Sequence, residues 1–233
     1  AEVAGSARKL GLRVTIVEAM PSLLGPLGPE IGEVIRRIHE EAGVTVITEA
    51  PVDVIDQSAA DGASVVLADG RIITADLIVV GFGARLNVEA LGDLATPDGV
   101  LCDERGRVLE HPGLWAVGDV AAWWDPKSKR HMRREHWAAA GDEASIVAHT
   151  LMGADASRLL SVPPYFWTDQ PGIKVQLVGW PELADRQGWI EEDDMPPETA
   201  YGWWRGDTLV AVAMLGSPRL LIRFRKELAE LQL

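Results

Sequence analysis

Hydrophobic residues in the first fifty positions follow helical spacing and strand spacing by turns. Val3, Ala7 and Leu10 recur on one helical face, and Gly11 suits the left-handed position at which helices end. The segment RVTIVE (13–18) is a β-branched run that closes on an acid, which is typical of a parallel strand buried on both faces. The two patterns then repeat, as a helix traced by Ile31, Val34, Ile35 and Ile38 and a strand at VTVIT (44–48). This β-α-β rhythm predicts an α/β fold with a doubly wound, Rossmann-like domain entered after its first strand.

The pattern changes after residue 51, where strand-like runs follow one another closely. These runs are VDVID (52–56), ASVVLADGRIIT (63–74) and DLIVVGFG (76–83). Asp69-Gly70 is a strong signal for a hairpin turn within the second run. We therefore predict a β-meander appended to the first sheet, with a further strand at Leu77–Val80.

A second abrupt change occurs in GLWAVGDVAAWW (113–124). The apolar run Leu114–Val117 predicts a buried strand, and Gly118-Asp119 at its exit presents a bare backbone and then a carboxylate. The small residues that follow, Val120–Ala122, can start a helix whose amide groups face a pyrophosphate. A longer helix is predicted from Glu135 to about Met152.

The tail beyond Pro163-Pro164 predicts a small α+β domain. Strand-like runs occupy 174–180 and 198–215, and Gly206-Asp207 makes a hairpin turn within the second of them. A basic amphipathic helix closes the chain, PRLLIRFRKELAEL (218–231).

Charge and hydropathy narrow the classes of partner. The 233 residues carry 22 Lys and Arg against 35 Asp and Glu, a formal charge of −13, so a nucleic acid ligand is disfavoured. No apolar run approaches the roughly 20 residues that cross a bilayer, and no signal-peptide pattern opens the chain. We therefore expect a cytoplasmic protein that binds neither nucleic acid nor membrane.

Cysteine usage limits the redox chemistry. Cys102 is the single cysteine in the sequence, so the chain itself holds no disulfide, no CxxC redox pair and no cysteine-only metal site. We expect no metal site, and electrons that pass through this protein need an organic cofactor to carry them.

Glu18 closes the first predicted strand, where dinucleotide-binding folds place the acid that binds the ribose hydroxyls. Ala19-Met20 follow it in place of an arginine, which favours NAD over NADP. A solvated acid at a strand end explains Glu18 in isolation equally well. The chain starts with Ala1, inside a predicted helix, and the glycine-rich phosphate loop is expected just before it, so the sequence suggests a fragment.

Two glycine motifs are candidates for close approach to a ligand. Gly81 and Gly83 follow an apolar run at a predicted sheet edge, although a tight turn would also explain them. Gly118 removes a side chain that would block a ligand, and Asp119 offers an acceptor to a polyol hydroxyl. A turn with a helix-capping acid is the alternative for this pair.

Aromatic and basic residues supply two further candidates. Nine tryptophans against three phenylalanines are unusual for a core, because each buried indole N–H needs a partner. The rings of Trp137 and Trp167 can wall a flat heteroaromatic ligand, although each alone also suits a core position. The basic residues of KSKRHMRRE form either a solvated loop or a docking patch for an acidic protein; they are Lys127, Lys129, Arg130, Arg133 and Arg134.

Five motifs carry a family resemblance in their order and spacing. They are AEVAGSARKLGLRVTIVEAMPSLL, DLIVVGFGARLN, GVLCDERGRVLEHPGLWAVGDVA, REHWAAA and PYFWTDQPGIKVQLVGW. In these the chain resembles the latter two-thirds of FAD-dependent pyridine-nucleotide oxidoreductases of the ferredoxin/rubredoxin reductase type. That type includes the reductase components of multicomponent dioxygenases and cytochrome P450 systems.

The resemblance assigns roles to residues and divides the chain. It implies that Asp119 binds the ribityl chain of FAD, that Glu2 is the acid at the nicotinamide pocket, where we expect it to be catalytic, and that Glu18 binds ribose. It places further residues at the cofactors, namely Gly81, Gly83, Gly118, Glu135, His136, Trp137, Phe166, Trp167 and Gln170. It also implies an NAD-binding domain at 1–87, the C-terminal part of an FAD-binding domain at 88–156 and an α+β interface domain at 157–233.

The function implied is an NADH-dependent flavoprotein reductase. Hydride would pass from NADH directly to FAD, and electrons would leave singly to a ferredoxin-like iron–sulfur protein that docks on the basic segment. The same fold with another acceptor is an alternative, the candidates being rubredoxin, a nitrite reductase partner domain, monodehydroascorbate or oxygen. A truncated, non-catalytic NAD-binding module is the alternative from a different class.

Overall fold

A computed structural model describes residues 1–56, 62–193 and 195–231. The chain divides into two compact units, each continuous except for one exchanged segment. The first unit contains residues 1–83 and 168–174, and the second contains residues 84–167 and 175–233.

The first unit has a parallel strand pair and an antiparallel meander. Its elements are α1 (Glu2–Lys9), β1 (Thr15–Val17), α2 (Pro29–Glu41), β2 (Thr45–Ile47), β3 (Val52–Asp56), β4 (Ala63–Leu67) and β5 (Ile72–Ala75). Strands β1 and β2 pair in parallel, with Ile16 opposite Val46, while β3, β4 and β5 form a separate sheet in that order. The β-α-β rhythm and the meander are therefore confirmed.

Burial in α2 explains why this segment is a helix. Ile31 and Ile35 are fully buried one turn apart, and His39 continues the same face with no exposure. Gly28 at +96° φ precedes the helix and Pro29 begins it, as suits a first turn in which proline costs no hydrogen bond.

The meander turns where the sequence predicts. The Asp69 Oδ1 atom accepts from the Arg71 amide at 3.0 Å, and Gly70 adopts a φ of +86° that a side chain would strain. Val65 and Leu67 of β4 face a core with Ala50.

The second unit holds two sheets and three helices among its described residues. Its elements are β6 (Val100–Cys102), β7 (Ala121–Asp125), β8 (Arg130–Met132), α3 (Trp137–Leu151), α4 (Ser157–Leu160), β9 (Tyr165–Gln170), β10 (Ile173–Gly179), β11 (Arg186–Trp189), β12 (Ala200–Arg205), β13 (Thr208–Leu215) and α5 (Pro218–Ala229). The tip of the β9–β10 hairpin is the segment exchanged into the first unit.

The tail is the α+β layer that the sequence predicts. Its five strands run in the order β11-β12-β13-β10-β9, and β12 and β13 join through the predicted turn at Gly206-Asp207. Helix α5 covers one face, where Leu221, Phe224 and Leu228 are buried. Apolar residues thus meet at helical spacing on α5 and at alternate positions on the strands.

Three sequence-based elements are wrong in the structure. Residues 77–80 belong to no strand among the described residues, and Leu77 and Val80 are 77% and 53% exposed. Within the part of the chain that the structure describes, the run 114–117 forms only an isolated antiparallel bridge, between Trp115 and Arg107. The segment predicted to start a helix, residues 120–122, instead enters β7, where Ala121 pairs in parallel with Val100. An apolar segment forms a strand only where a neighbouring strand supplies hydrogen bonds. Whether such a neighbour is present depends on the tertiary fold.

No helix in the described ranges combines the length and apolar character that crossing a membrane requires. The four helices that the sequence predicts, through Val3–Leu10, through Ile31–Ile38, from Glu135 to about Met152 and over 218–231, are all present, with ends that shift by a few residues.

Candidate functional site

Glu2 lies in the first turn of α1 and is held by the tip of the β9–β10 hairpin. Its Oε1 atom accepts from the Thr168 hydroxyl at 2.7 Å and from the Asp169 amide at 2.6 Å. A helix that precedes a parallel strand begins at the carboxyl edge of the sheet, which is the edge where such folds bind ligands. The predicted catalytic acid is therefore anchored at a suitable edge of the first unit.

Glu18 follows β1 directly, at the same edge. Its amide donates to the Ile47 carbonyl at 2.9 Å, and its Oε1 accepts from the Met20 amide at 2.9 Å. Glu2 begins α1 and Glu18 follows β1, so the structure places the predicted nicotinamide acid and ribose acid at the same edge of the first unit.

Gly81 and Gly83 occupy open space. A Cβ built on either glycine meets no atom within 4 Å, and Gly83 has a φ of +93°. The positive φ accounts for glycine at position 83. The placement of these two glycines at a cofactor stays a prediction.

Gln170 is buried in the first unit, and the oxygen and the nitrogen of its side-chain amide both lie within hydrogen-bonding distance of a neighbour. Its Oε1 lies 2.9 Å from His39 Nε2, and its Nε2 donates to the Thr168 hydroxyl at 2.8 Å. Gln170 is therefore connected to Glu2 through Thr168. Its contact with a flavin stays a prediction.

In the second unit, Gly118 and Asp119 begin a short 3-10 turn that precedes β7. Gly118 has a φ of +73°, and its amide donates to Glu143 Oε2 at 2.7 Å. Asp119 is exposed beside it. The glycine accommodates a left-handed turn that leaves the Asp119 carboxylate on the surface, available to a hydroxyl-bearing ligand.

His136 directly precedes α3 and lies beside Phe166 of β9. Its ring lies 5.5 Å from the Phe166 ring between centroids, and its Nδ1 is buried without a hydrogen-bond partner among the described residues. Burial and the charge of Arg134 lower the pKa of His136, whereas Asp119 raises it. The imidazole therefore holds a buried ring nitrogen that has no hydrogen-bond partner among the described residues.

The remaining aromatic candidates differ in exposure. Trp137, the first residue of α3, is 88% exposed, which is unusual for an indole without a ligand or partner. Trp167 is half-buried and stacks on Tyr165 with ring centroids 5.7 Å apart. Glu135 pairs with Arg133 at 2.8 Å.

The basic segment is only partly available. Arg134 pairs with the buried carboxylate of Asp125 at 2.9 Å, and the Lys127 ammonium lies 4.1 Å from the centroid of the Trp180 ring. Burial lowers the pKa of Lys127. Lys129 and Arg130 are exposed, so they are the two members best placed to meet a partner.

The residues present fit the two expected cofactors by their chemistry. A ligand that carries N–H and O–H donors, as a flavin and its ribityl chain do, suits the unpaired His136 Nδ1 and the exposed Asp119 carboxylate. The Glu18 carboxylate uses one oxygen for the Met20 amide, and its other oxygen makes no hydrogen bond among the described residues, so a ribose hydroxyl would find an acceptor there. No group of three or more metal-ligating side chains occurs in the part of the chain that the structure describes.

Glu143 and His39 are buried polar residues that our sequence reasoning missed. Glu143 lies four residues after Ala139 and three before Ile146, all three buried on one face of α3. His39 likewise follows Ile31 and Ile35 on the buried face of α2. A polar residue in an apolar helical stripe is the signal that would have found both.

Two protein families match the sequence. The profile of the pyridine nucleotide-disulphide oxidoreductase family matches residues 1–144, and that of the reductase C-terminal family matches residues 165–232. The second match covers the five-stranded sheet and α5.

Named relatives are similar to almost the whole chain. The chain is 30% identical to the 3-phenylpropionate/cinnamic acid dioxygenase ferredoxin–NAD(+) reductase component of Photorhabdus laumondii, over 98% of the chain and 57% of the relative. It is 32% identical to rhodocoxin reductase of Rhodococcus erythropolis, over 98% of the chain and 53% of the relative. The crystal structure of a covalent putidaredoxin reductase–putidaredoxin complex matches with a TM-score of 0.86 and 26% identity, over 98% of the chain and 55% of that structure. The chain spans about half the length of the relatives it matches.

Proposed function

The chain belongs to the pyridine nucleotide-disulphide oxidoreductase family, and from this membership we propose that it is part of an NADH-dependent reductase that uses FAD and passes electrons to a ferredoxin-like iron–sulfur protein. The succession of an oxidoreductase match and a reductase C-terminal match along one chain carries the proposal. Relatives named as ferredoxin–NAD(+) reductase and rhodocoxin reductase support it. The formal charge of −13 favours a cytosolic location.

We propose that the first unit binds NADH. Glu18 would accept hydrogen bonds from the adenosine ribose, and the absence of an arginine at positions 19 and 20 leaves no group for a 2′-phosphate. Glu2 would meet the nicotinamide end, where its anchored carboxylate orients the reacting ring. The work of these residues is positioning, because orientation lowers the barrier to hydride transfer.

We propose that the second unit holds the flavin. Asp119 would bind the ribityl hydroxyls, and Trp137, Phe166 and Trp167 would exclude water from the ring system. With a flavin held by these residues, the site would have the chemistry to take up a hydride and to release electrons one at a time. Cys102 is buried with a pKa raised by burial to about 11, so this thiol is not a redox partner.

Stepwise electron flow tests the function. The FAD-loaded protein is titrated with NADH in the absence of oxygen, and an oxidised, acidic two-iron ferredoxin is then added. NADH should bleach the flavin absorbance band, and the ferredoxin should restore it. A protein that binds NADH without any bleaching would instead be a non-catalytic NAD-binding module.

Replacement of Glu18 tests whether this residue determines the preference for NADH over NADPH. Glu18→Ala combined with Ala19→Arg removes the acceptor for the ribose hydroxyls and adds a cation for the 2′-phosphate. The ratio of NADH affinity to NADPH affinity should fall at least tenfold, since each lost or gained charged contact is worth roughly that much. An unchanged ratio, with Glu49→Ala as the exposed control, would remove Glu18 from the site.

A further inference from the structure

A chain of hydrogen bonds connects a buried histidine to the surface carboxylate of Glu2. His39 Nε2 lies 2.9 Å from Gln170 Oε1, and Gln170 Nε2 donates to Thr168 Oγ1 at 2.8 Å. The Thr168 hydroxyl then donates to Glu2 Oε1 at 2.7 Å. All four residues belong to the first unit, although they come from three separate parts of the sequence.

The Glu2 carboxylate determines which group donates and which accepts in every hydrogen bond of this series. Glu2 only accepts, so the Thr168 hydroxyl must donate to it and must accept from the Gln170 amide nitrogen. Gln170 Oε1 therefore faces His39 as an acceptor, and His39 must carry its proton on Nε2. His39 Nδ1 has no hydrogen-bond partner among the described residues, which agrees with an unprotonated nitrogen at that position.

These hydrogen bonds lie in the protein interior, where an unpaired polar group is energetically costly. His39 has no exposed surface, and Thr168 and Gln170 are each 5% exposed, so each group relies on the next for its hydrogen bond. A network that served only the core would end inside it. This one ends on an exposed carboxylate whose Oε2 makes no hydrogen bond among the described residues.

Two further contacts seat the same hairpin tip on α1. The Asp169 amide donates to Glu2 Oε1 at 2.6 Å, and a Cβ on Gly5 would lie only 3.1 Å from Pro171. Glu2 is thus fixed through one oxygen by two donors of one turn, which confines its rotamer and leaves the second oxygen available.

We propose that His39, Gln170 and Thr168 are positioning residues that hold the Glu2 carboxylate for the carboxamide N–H donors of a nicotinamide nucleotide. This inference rests on the proposed function, because it takes the ligand of Glu2 to be NADH. Restriction of the carboxylate before binding saves the ordering cost that a free glutamate side chain would incur on binding.

Two ligands and one matched pair of variants test the inference. Thr168→Val removes the hydroxyl at nearly constant volume, and Thr168→Ser retains it. Affinities are measured for NADH and for ADP-ribose, which carries the ribose that Glu18 would bind but lacks nicotinamide. Thr168→Val should weaken NADH binding roughly threefold to tenfold, because the released Glu2 side chain must then be ordered on binding, and should leave ADP-ribose binding unchanged, while Thr168→Ser should behave as the parent.

The double variant separates positioning from stability. In a Glu2→Gln background, Thr168→Val should cause little further loss of NADH affinity, because the anchored charge is already gone. Equal losses for NADH and ADP-ribose, or full additivity with Glu2→Gln, would overturn the inference and leave a structural role. The inference alone is wrong if the parent protein binds ADP-ribose and Glu2→Gln lowers the affinity for NADH while Thr168→Val does not. If the parent binds neither ligand, the proposed function falls with it.

The tautomer of His39 gives a readout that needs no variant and no ligand. Nitrogen chemical shifts should report a neutral ring with the proton on Nε2, coupled to a slowly exchanging proton. A proton on Nδ1 would break the direction of the chain and contradict the inference.

Discussion

At the residue scale, the surroundings of Glu143 change its acid–base chemistry. It is 4% exposed on α3 and accepts from the Gly118 amide at 2.7 Å. Burial raises its pKa from 4.5 to about 7, although the Gly118 bond and the charge of Arg134 oppose the shift. The acid therefore titrates near neutrality directly behind the Gly118-Asp119 turn.

The pH dependence of stability follows from this shift. Because the folded-state pKa is raised, Glu143 favours folding fully below pH 4.5, and this advantage is lost as pH rises to about 7. Glu143→Gln retains an acceptor for the Gly118 amide and removes the titration. Relative to the parent, the variant should gain roughly 2–3 kcal/mol of unfolding free energy between these pH limits.

Denaturant unfolding at several pH values measures this difference. The exposed Glu191→Gln serves as the control and should follow the parent at every pH. A constant difference between Glu143→Gln and the parent from pH 4 to pH 8 would contradict the raised pKa.

At the scale of elements, one glycine permits the close antiparallel pairing of β10 with β13. Gly179 ends β10 with a φ of +101°, and a Cβ there would lie 2.3 Å from the Val210 carbonyl oxygen and 2.7 Å from the Ala211 Cα. Both neighbours are backbone atoms of a central strand, so neither can move without breaking the ladder. Sequence spacing cannot reveal this, since the clash involves residues about thirty positions away.

Gly179→Ala should therefore destabilise the sheet by about 2–4 kcal/mol, through strain at positive φ and a backbone clash. Gly188→Ala is the matched control, because Gly188 lies within β11 and a Cβ there meets nothing within 4 Å. Thermal unfolding should show a clear loss for the first variant and almost none for the second. Similar losses for both would mean that glycine matters here only through chain entropy.

At the scale of the whole molecule, the basic segment is a local exception in a chain with a net charge of −13. Arg134 and Lys127 are committed to Asp125 and Trp180, so reversal of their charges would damage the fold. Lys129 and Arg130 are exposed and carry the charge that an acidic partner would meet. Exposed charges act chiefly on the association rate, which salt then screens.

Lys129→Glu with Arg130→Glu should slow the reduction of an acidic ferredoxin about tenfold at low ionic strength, with a smaller effect at high salt. Reduction of a small neutral acceptor such as a quinone should stay unchanged and serves as the control. Stopped-flow traces that match the parent with ferredoxin would remove this segment from the partner interface.

The sequence predicted the elements that depend on local signals. The alternation of helix and strand through residue 48, the Asp69-Gly70 hairpin, the Gly206-Asp207 hairpin and α5 are all present. Periodicity and turn residues act over a few positions, so they can be read without the fold. The five family motifs were sufficient to identify the oxidoreductase family for the same reason, because each is a short contiguous string.

Tertiary structure alone decided which apolar runs became strands and which polar residues met. Residues 77–80 and 114–117 have strand composition, yet among the described residues the first run joins no strand and the second contributes only an isolated bridge between Trp115 and Arg107, whereas β7 forms a ladder with β6. Glu2 and Gln170 were each expected at a cofactor, but only the fold connects them, through Thr168 and on to His39. The sequence by itself determines residue types and local periodicity, whereas contacts between distant segments depend on how the elements pack, which no short stretch encodes.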